Sequence, residues 1–252
     1  MKKLSNYITE KLKISNNTIE NKHTLFPETK AELKEMIKAE IEQFGNECSL
    51  NHIDVSKIDN MNQLFFNSDF DGDISEWNVS NVVRMYALFA KSKFTGKNSD
   101  ISKWNVSNVT DMAWMFGNSE FNGDISDWDV SKVRDMKSMF ENSKFNGDIS
   151  NWDVSGSHEM SSMFKGSEFN GDISKWDVSN VVFMANMFKD SKFNGDISNW
   201  NVSNVHTTAY MFENSKFNGD ITKWNVSNNQ DMRSMFKGSP LEKNKPAWYT
   251  WT

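Results

Sequence analysis

Residues 121–144 read FNGDISDWDVSKVRDMKSMFENSK, and residues 145–168 follow as FNGDISNWDVSGSHEMSSMFKGSE. Units beginning at Phe169, Phe193 and Phe217 keep the same 24-residue period, with Trp128, Trp152, Trp176, Trp200 and Trp224 marking each turn of the pattern. Towards the N-terminus, Phe94 opens a unit with three extra residues around Lys97, and Phe70 opens an ordinary one. A weaker unit starts at Asn46, where Leu50, Ile53 and Val55 replace Ile, Trp and Val. At the other end Leu241 and Trp248 occupy the Phe and Trp places of a closing half-unit. Self-similarity at such a period marks a repeat architecture, in which one unit cannot bury its own apolar face and neighbours must cover it.

Apolar spacing suggests the shape of a unit. Trp128 and Val130 stand two apart, as on a short strand, with Asp129 turned outward. Ser131 sits where a helix N-cap belongs, Asp135 favours the first turn, and Val133, Met136, Met139 and Phe140 recur at helical spacing. Asn122-Gly123 supplies a turn. The expectation is an α/β repeat solenoid over residues 46–240, with one short parallel strand and one short helix per coil. Pro27, Pro240 and Pro246 all lie outside the regular coils, as an unbroken ladder requires.

The flanks read as caps. Thr29 and Glu32 form a capping box ahead of Leu33, Met36, Ile37, Ile41 and Phe44, and Gly45 ends the stripe, so a capping helix is expected within 29–45. Residues 241–252 read as a C-terminal cap presenting Trp248 and Trp251. Residues 1–28 read as a short amphipathic helix, with Leu4, Ile8 and Leu12 at four-residue spacing, followed by a polar linker. That helix either docks back on the repeats or serves as a docking peptide for another component.

The unit F-N-G-D-I-S-x-W-[DN]-V-S-x-V-x-x-M-x-x-M-F-x-x-S resembles the BspA-like leucine-rich repeats of bacterial surface proteins. It is most similar to the Trp- and Met-rich surface-lipoprotein repeats with the D-I-S-x-W-D-V-S signature. The likeness covers about residues 46–252. It implies a right-handed, leucine-rich-repeat-like solenoid with an adhesive or binding role and no catalysis.

Composition bounds the function. A formal charge of −6 disfavours nucleic acid or an anionic membrane as partner. The single Cys48 cannot form an internal disulfide. The start MKKLSNYITEKLK has no uninterrupted apolar core for a Sec signal, Cys48 is no lipidation site, and no run reaches transmembrane length. An intracellular or virion-associated protein is therefore expected rather than a surface-displayed one, and relatives without export signals, phage-encoded ones among them, are similar in this respect.

Most residue columns read as structure. The Trp column keeps register with core Val, and the Met column (Met85, Met112, Met136, Met160, Met184, Met232) fills the core rather than binding metal. The column Asp73, Asp100, Asp124, Asp148, Asp172, Asp196, Asp220 either braces turns or, less in keeping with its sparse glycines, holds calcium. Nearly every Asp and Ser is copied once per coil, which leaves no unique catalytic pair. His158 and His206 share a repeat place with Val182 between them, about 10 Å apart, too far for one zinc. No cofactor, metal or catalytic residue is expected, and Lys91, Lys93, Lys97 and Lys103 read as a solvated edge. The informative residues break the outward polarity: Tyr86, Trp114, Phe183 and Tyr210, joined by Val83 and Val182. These four aromatics are the expected contacts for a protein partner. The Ser/Asn/Asp strand face (Asn105, Asp129, Asp153, Asp177, Asn201) is an alternative surface for a glycan.

Overall fold

A computed structural model of the chain describes residues 23–250. Leu4, Ile8, Leu12 and Trp251 lie outside the described residues. We number the repeats from the sequence: coil 1 (46–69), coil 2 (70–93), coil 3 (94–120), coil 4 (121–144), coil 5 (145–168), coil 6 (169–192), coil 7 (193–216) and coil 8 (217–240).

Each coil is a succession of tight turns, most of them braced by a side chain. In coil 4, Asp124 Oδ1 accepts the Ser126 N–H (2.9 Å), and the Trp128 N–H reaches back to the Ile125 carbonyl (3.2 Å). Asp129 Oδ1 accepts both the N–H and the hydroxyl of Ser131, and Asp135 Oδ1 accepts the Lys137 N–H. These are the local bonds by which Asp, Asn and Ser compete with helix and sheet for the backbone. Beyond Asp135 the N–H groups alternate. Those of Met136, Ser138, Phe140 and Asn142 cross to the carbonyls of Glu159, Ser161, Met163 and Lys165 in the next coil (2.7–2.9 Å). Those of Met139, Glu141 and Ser143 bond three residues back within their own coil (3.1–3.2 Å). Every donor from 136 to 143 is thereby paired, as burial demands.

This pattern replaces the expected helix. Among the described residues, only α1 (Lys30–Phe44) and a single 3-10 turn at Pro240–Glu242 are helical. Two residues per coil hold left-handed φ, for example Ser138 (55°) and Asn142 (51°), or Ser162 (60°) and Gly166 (63°). Such a residue cannot continue a right-handed helix, and it sits where a turn with an i→i+3 bond requires φ above zero. The spacing of Met136, Met139 and Phe140 therefore comes from consecutive turns, which return side chains to one side every three or four residues just as a helix does. The expected strand at Trp128–Val130 is absent too. Parallel pairing occurs instead as single bridges, most of them at the place of Asp135, running Asn60, Arg84, Asp111, Asp135, Glu159, Phe183, Thr207, Asp231, with two more at the N-terminal end, Leu25 to Ile53 and Ser49 to Asp73.

The core is a set of aromatic columns. Trp104 and Trp128 stack at 6.5 Å and 3°, Phe140 and Phe164 at 5.7 Å and 6°, Phe145 and Phe169 at 6.3 Å and 5°. Every column Trp also donates its indole N–H to a carbonyl of the preceding coil, as Trp128 does to Ile101 (3.0 Å) and Trp152 to Ile125 (3.1 Å). The ring thus contributes apolar area, and its buried N–H finds a second lone pair on a carbonyl that already accepts a backbone N–H within its own coil. On the outer surface Asn146, Asn170, Asn194 and Asn218 each donate N–H to the Asn side chain one coil earlier (2.7–2.9 Å).

At the N-terminal end α1, with Thr29 as its N-cap accepting the Glu32 N–H, buries Leu33 and Ile37 against the core. At the C-terminal end Trp248 stacks on Trp224 at 6.5 Å and donates to the Ile221 carbonyl, while Tyr249 meets Phe236 edge-on. Among the described residues no helix is long and apolar enough to cross a membrane.

Candidate functional site

The turns that carry the inter-coil bonds expose one side to solvent, and three repeat places, those of Lys137, Ser138 and Glu141 in coil 4, line it. The first holds Asn62, Tyr86, Ala113, Lys137, Ser161, Ala185, Ala209 and Arg233. The second, left-handed in all eight coils, holds Gln63, Ala87, Trp114, Ser138, Ser162, Asn186, Tyr210 and Ser234. The third holds Phe66, Ala90, Gly117, Glu141, Lys165, Lys189, Glu213 and Lys237.

In coils 1–3 this face is apolar apart from Asn62 and Gln63 of coil 1. Phe66 is 42% exposed and Tyr86 38% exposed, whereas Ala87, Ala90 and Ala113 between them are covered. Trp114 lies over Gly117: a Cβ there would come within 2.7 Å of the indole, so only glycine leaves room for the ring. The rungs Asn67 N–H to Ala90 O, Lys91 N–H to Gly117 O and Ala87 N–H to Ala113 O join these residues into one surface. Trp114 holds φ 61° and Tyr210 φ 60°. Most coils put Ser, Asn, Ala or Gln there, and a bulky side chain in the left-handed region is strained by about 1–2 kcal/mol.

The rim of this patch is cationic. Lys91 Nζ stands 5.6 Å from the centroid of the Phe66 ring. Arg84, two residues before Tyr86, and Lys137, whose carbonyl accepts the Trp114 N–H, complete it. None of these three makes an ion pair among the described residues. Asp111, next to Arg84 in the bridge column, is half-buried and accepts the Ala113 N–H; burial raises its carboxyl above the ordinary range.

Coils 4–8 differ. Glu141 pairs with Lys165 (2.9 Å), Lys189 pairs with Glu213, and Lys237 lies 3.8 Å from the same Glu213. The hydrogen bond to Glu213 holds the Lys189 ammonium above its usual pKa. That ammonium also stands 5.4 Å from the Tyr210 ring centroid. Phe183 is 43% exposed and bridges Glu159 and Thr207 in the ladder. The four expected contact residues therefore fall into two pairs, Tyr86 with Trp114 and Phe183 with Tyr210, separated by coils 4 and 5. They lie on consecutive turns and not on one face of the helix expected in each coil. Sequence reading missed Phe66 and the small residues Ala90 and Gly117. Their signal was available in the third place, which turns from apolar to charged at Glu141.

Other candidates are weaker. Each Asp of the repeating column uses Oδ1 for the N–H of the Ser or Thr two residues on, as Asp148 does for Ser150 (2.9 Å). That bond and the serine hydroxyl hold the carboxyls of Asp124, Asp148, Asp172 and Asp196 below the usual range. The insertion in coil 3 opens a 260 Å³ cleft lined by Gly96, Ser99, Asp100, Ser102 and Asp124. Both its carboxyls are shifted down, so neither is a proton donor near neutral pH. His158 and His206 are exposed, and among the described residues no group of three or more His, Cys, Asp or Glu is arranged to hold a metal.

No curated protein and no solved structure matches the chain. A family model does, in three overlapping segments, 31–147, 92–168 and 141–248, which together span α1 and all eight coils. The chain belongs to that repeat family, described as Mycoplasma protein of unknown function, DUF285.

Proposed function

We propose that this chain is a non-catalytic binding module, a right-handed leucine-rich-repeat-like solenoid that presents a rigid outer face to a protein partner. The observation that carries the reading is Trp114. Its ring is partly exposed, its backbone is strained, and Gly117 beneath it is shaped to receive it. Strain at a surface residue with no part in the core is expected where function rather than folding selects the side chain. The turns beneath are tied to both neighbouring coils, so binding here would order little new backbone. Tyr86 and Trp114 are the principal contacts, and Phe183 with Tyr210 form a secondary pair.

The test is a pull-down from the native source with wild type, with Tyr86→Ala/Trp114→Ala, and with Phe183→Ala/Tyr210→Ala, all three with matched melting curves. A partner retained by wild type and the Phe183/Tyr210 variant, but lost by the Tyr86/Trp114 variant, supports the reading. Equal capture by all three overturns the aromatic face as the site.

A further inference from the structure

The face proposed as a binding site also carries information about the chemistry of its occupant. Phe66, Tyr86 and Trp114 surround a floor of small covered residues, Ala87, Ala90, Ala113 and Gly117. Around them stand Arg84, Lys91 and Lys137, all exposed and free of ion pairs among the described residues. Of the nearby carboxylates, Glu141 pairs with Lys165 and Glu120 with Lys144, while Asp111, which accepts the Ala113 N–H, feels the Arg84 charge without forming an ion pair, and Asp135 accepts the Lys137 N–H. Elsewhere on the same face each central lysine has an acidic neighbour one coil away, so the unpaired cations are a property of coils 1–3 and of the boundary with coil 4. In a chain of formal charge −6, three exposed cations without ion pairs around aromatic rings, with only Asp111 and Asp135 beside them, are a local departure from the overall sign. Charge complementarity across an interface steers encounter and excludes wrong partners.

Resting on the binding reading above, we infer that the coil 1–3 face docks a peptide segment that combines apolar side chains with carboxylates. The apolar groups lie against Phe66, Tyr86 and Trp114, and the carboxylates face Arg84, Lys91 and Lys137. A single-stranded nucleic acid would also offer flat rings and negative charge. It is disfavoured by the chain's formal charge of −6, which repels a polyanion extending beyond the patch.

The experiment displays a random twelve-residue peptide library and selects it on the full chain. Counter-selection uses the Tyr86→Ala/Trp114→Ala variant, and a labelled twenty-residue oligothymidylate is titrated in parallel. The expected peptides are enriched in Asp and Glu beside Leu, Phe or Trp. They should bind the Arg84→Glu/Lys91→Glu variant roughly tenfold more weakly, and weaken with salt as screened charges do. Both substituted residues are exposed, so melting curves should match wild type; Lys91→Gln supplies a milder second variant with an intermediate loss. Neutral or basic peptides, or peptides indifferent to the charge reversal, overturn the inferred chemistry while leaving the aromatic face as a site. Oligothymidylate binding that the Tyr86/Trp114 variant loses overturns it in favour of nucleic acid. Failure to recover any peptide that distinguishes wild type from that variant overturns the face itself, and the binding reading with it.

Discussion

Coils 3 and 7 have nearly the same interior and different exteriors. Trp104 and Trp200 are each 4% exposed, and each donates its indole N–H to an Ile carbonyl of the coil before. Outside, coil 3 offers Trp114 over Gly117, while coil 7 offers Tyr210 beneath a lysine that is itself paired with Glu213. A stacked repeat separates the two tasks: interior places must match from coil to coil for the stack to close, and exterior places need not. Deviations confined to the exterior are therefore where function is written.

The sharpest way to break this comparison is inside the stack. Trp152→Ala removes a ring stacked on Trp176, opens a cavity in the stack and takes one of two donors from the Ile125 carbonyl, so it is expected to cost about 3–5 kcal/mol in urea unfolding. Trp104→Ala should cost the same within about 1 kcal/mol, because its surroundings repeat. A much smaller loss at Trp104 would mean that the first three coils are not built on the common core.

Outside the stack a tryptophan should behave differently. Trp114→Asn installs the residue that coil 6 uses at the same left-handed place, Asn186 at φ 59°. Relief of backbone strain offsets the lost contact over Gly117, and the expected change in stability is within about 1 kcal/mol of zero. Loss of partner capture at unchanged stability separates a binding residue from a structural one. A cost approaching that of Trp152→Ala would assign Trp114 to the core.

The interior was legible in the sequence for the reason that the exterior was not. Trp128, Met136, Met139 and Phe140 recur without exception of type in several coils, and their burial follows from that. The local conformation was misread because Ser131, Asp135 and the three-to-four spacing are shared by a capped helix and by a run of Asx-braced turns. The deciding sign lay at the left-handed places, where Asn67, Asn118, Asn142, Asn214, Gly166 and Gly238 recur. Asn or Gly at this place in every coil but the second (Lys91) and the sixth (Asp190) suits φ above zero and weakens a helix. Tyr86 and Trp114 stood out as large residues among small ones. Their grouping with Phe66 depended on which places neighbour each other across coils, and that follows only from the inter-coil bonds.

The charged half of the face supplies a smaller effect. In a double-mutant cycle, Glu141→Gln with Lys165→Met is expected to show a coupling of about 0.5–1 kcal/mol, reduced by salt. The equivalent places in coils 2 and 3 are Ala90 and Gly117, which have no charge to couple. A coupling near zero would mean that the ion-pair half is as open to an external partner as the aromatic half.

The smallest expected effect tests the sign of the carboxylates. Burial is the main cause that raises Asp111, with Asp135 adding repulsion, so its folded pKa lies above its unfolded value near 3.9. The charged form is disfavoured in the fold, and the resulting penalty develops as pH rises from the unfolded pKa through the folded one. Asp111→Asn keeps an oxygen for the Ala113 N–H, as Asn60 does for Asn62 in coil 1, and removes the penalty. At pH 7 the variant should be more stable by a few tenths of a kcal/mol, the size appropriate to a group still half in water. Below about pH 4 the two proteins should melt together. The column of Asp124, Asp148, Asp172 and Asp196 has the opposite sign. Its depressed folded pKa values contribute stability above the unfolded value that is lost as pH falls. The wild-type melting temperature should therefore fall on acidification while its gap to Asp111→Asn narrows; a gap that widens in acid would place Asp111 with the bracing carboxylates.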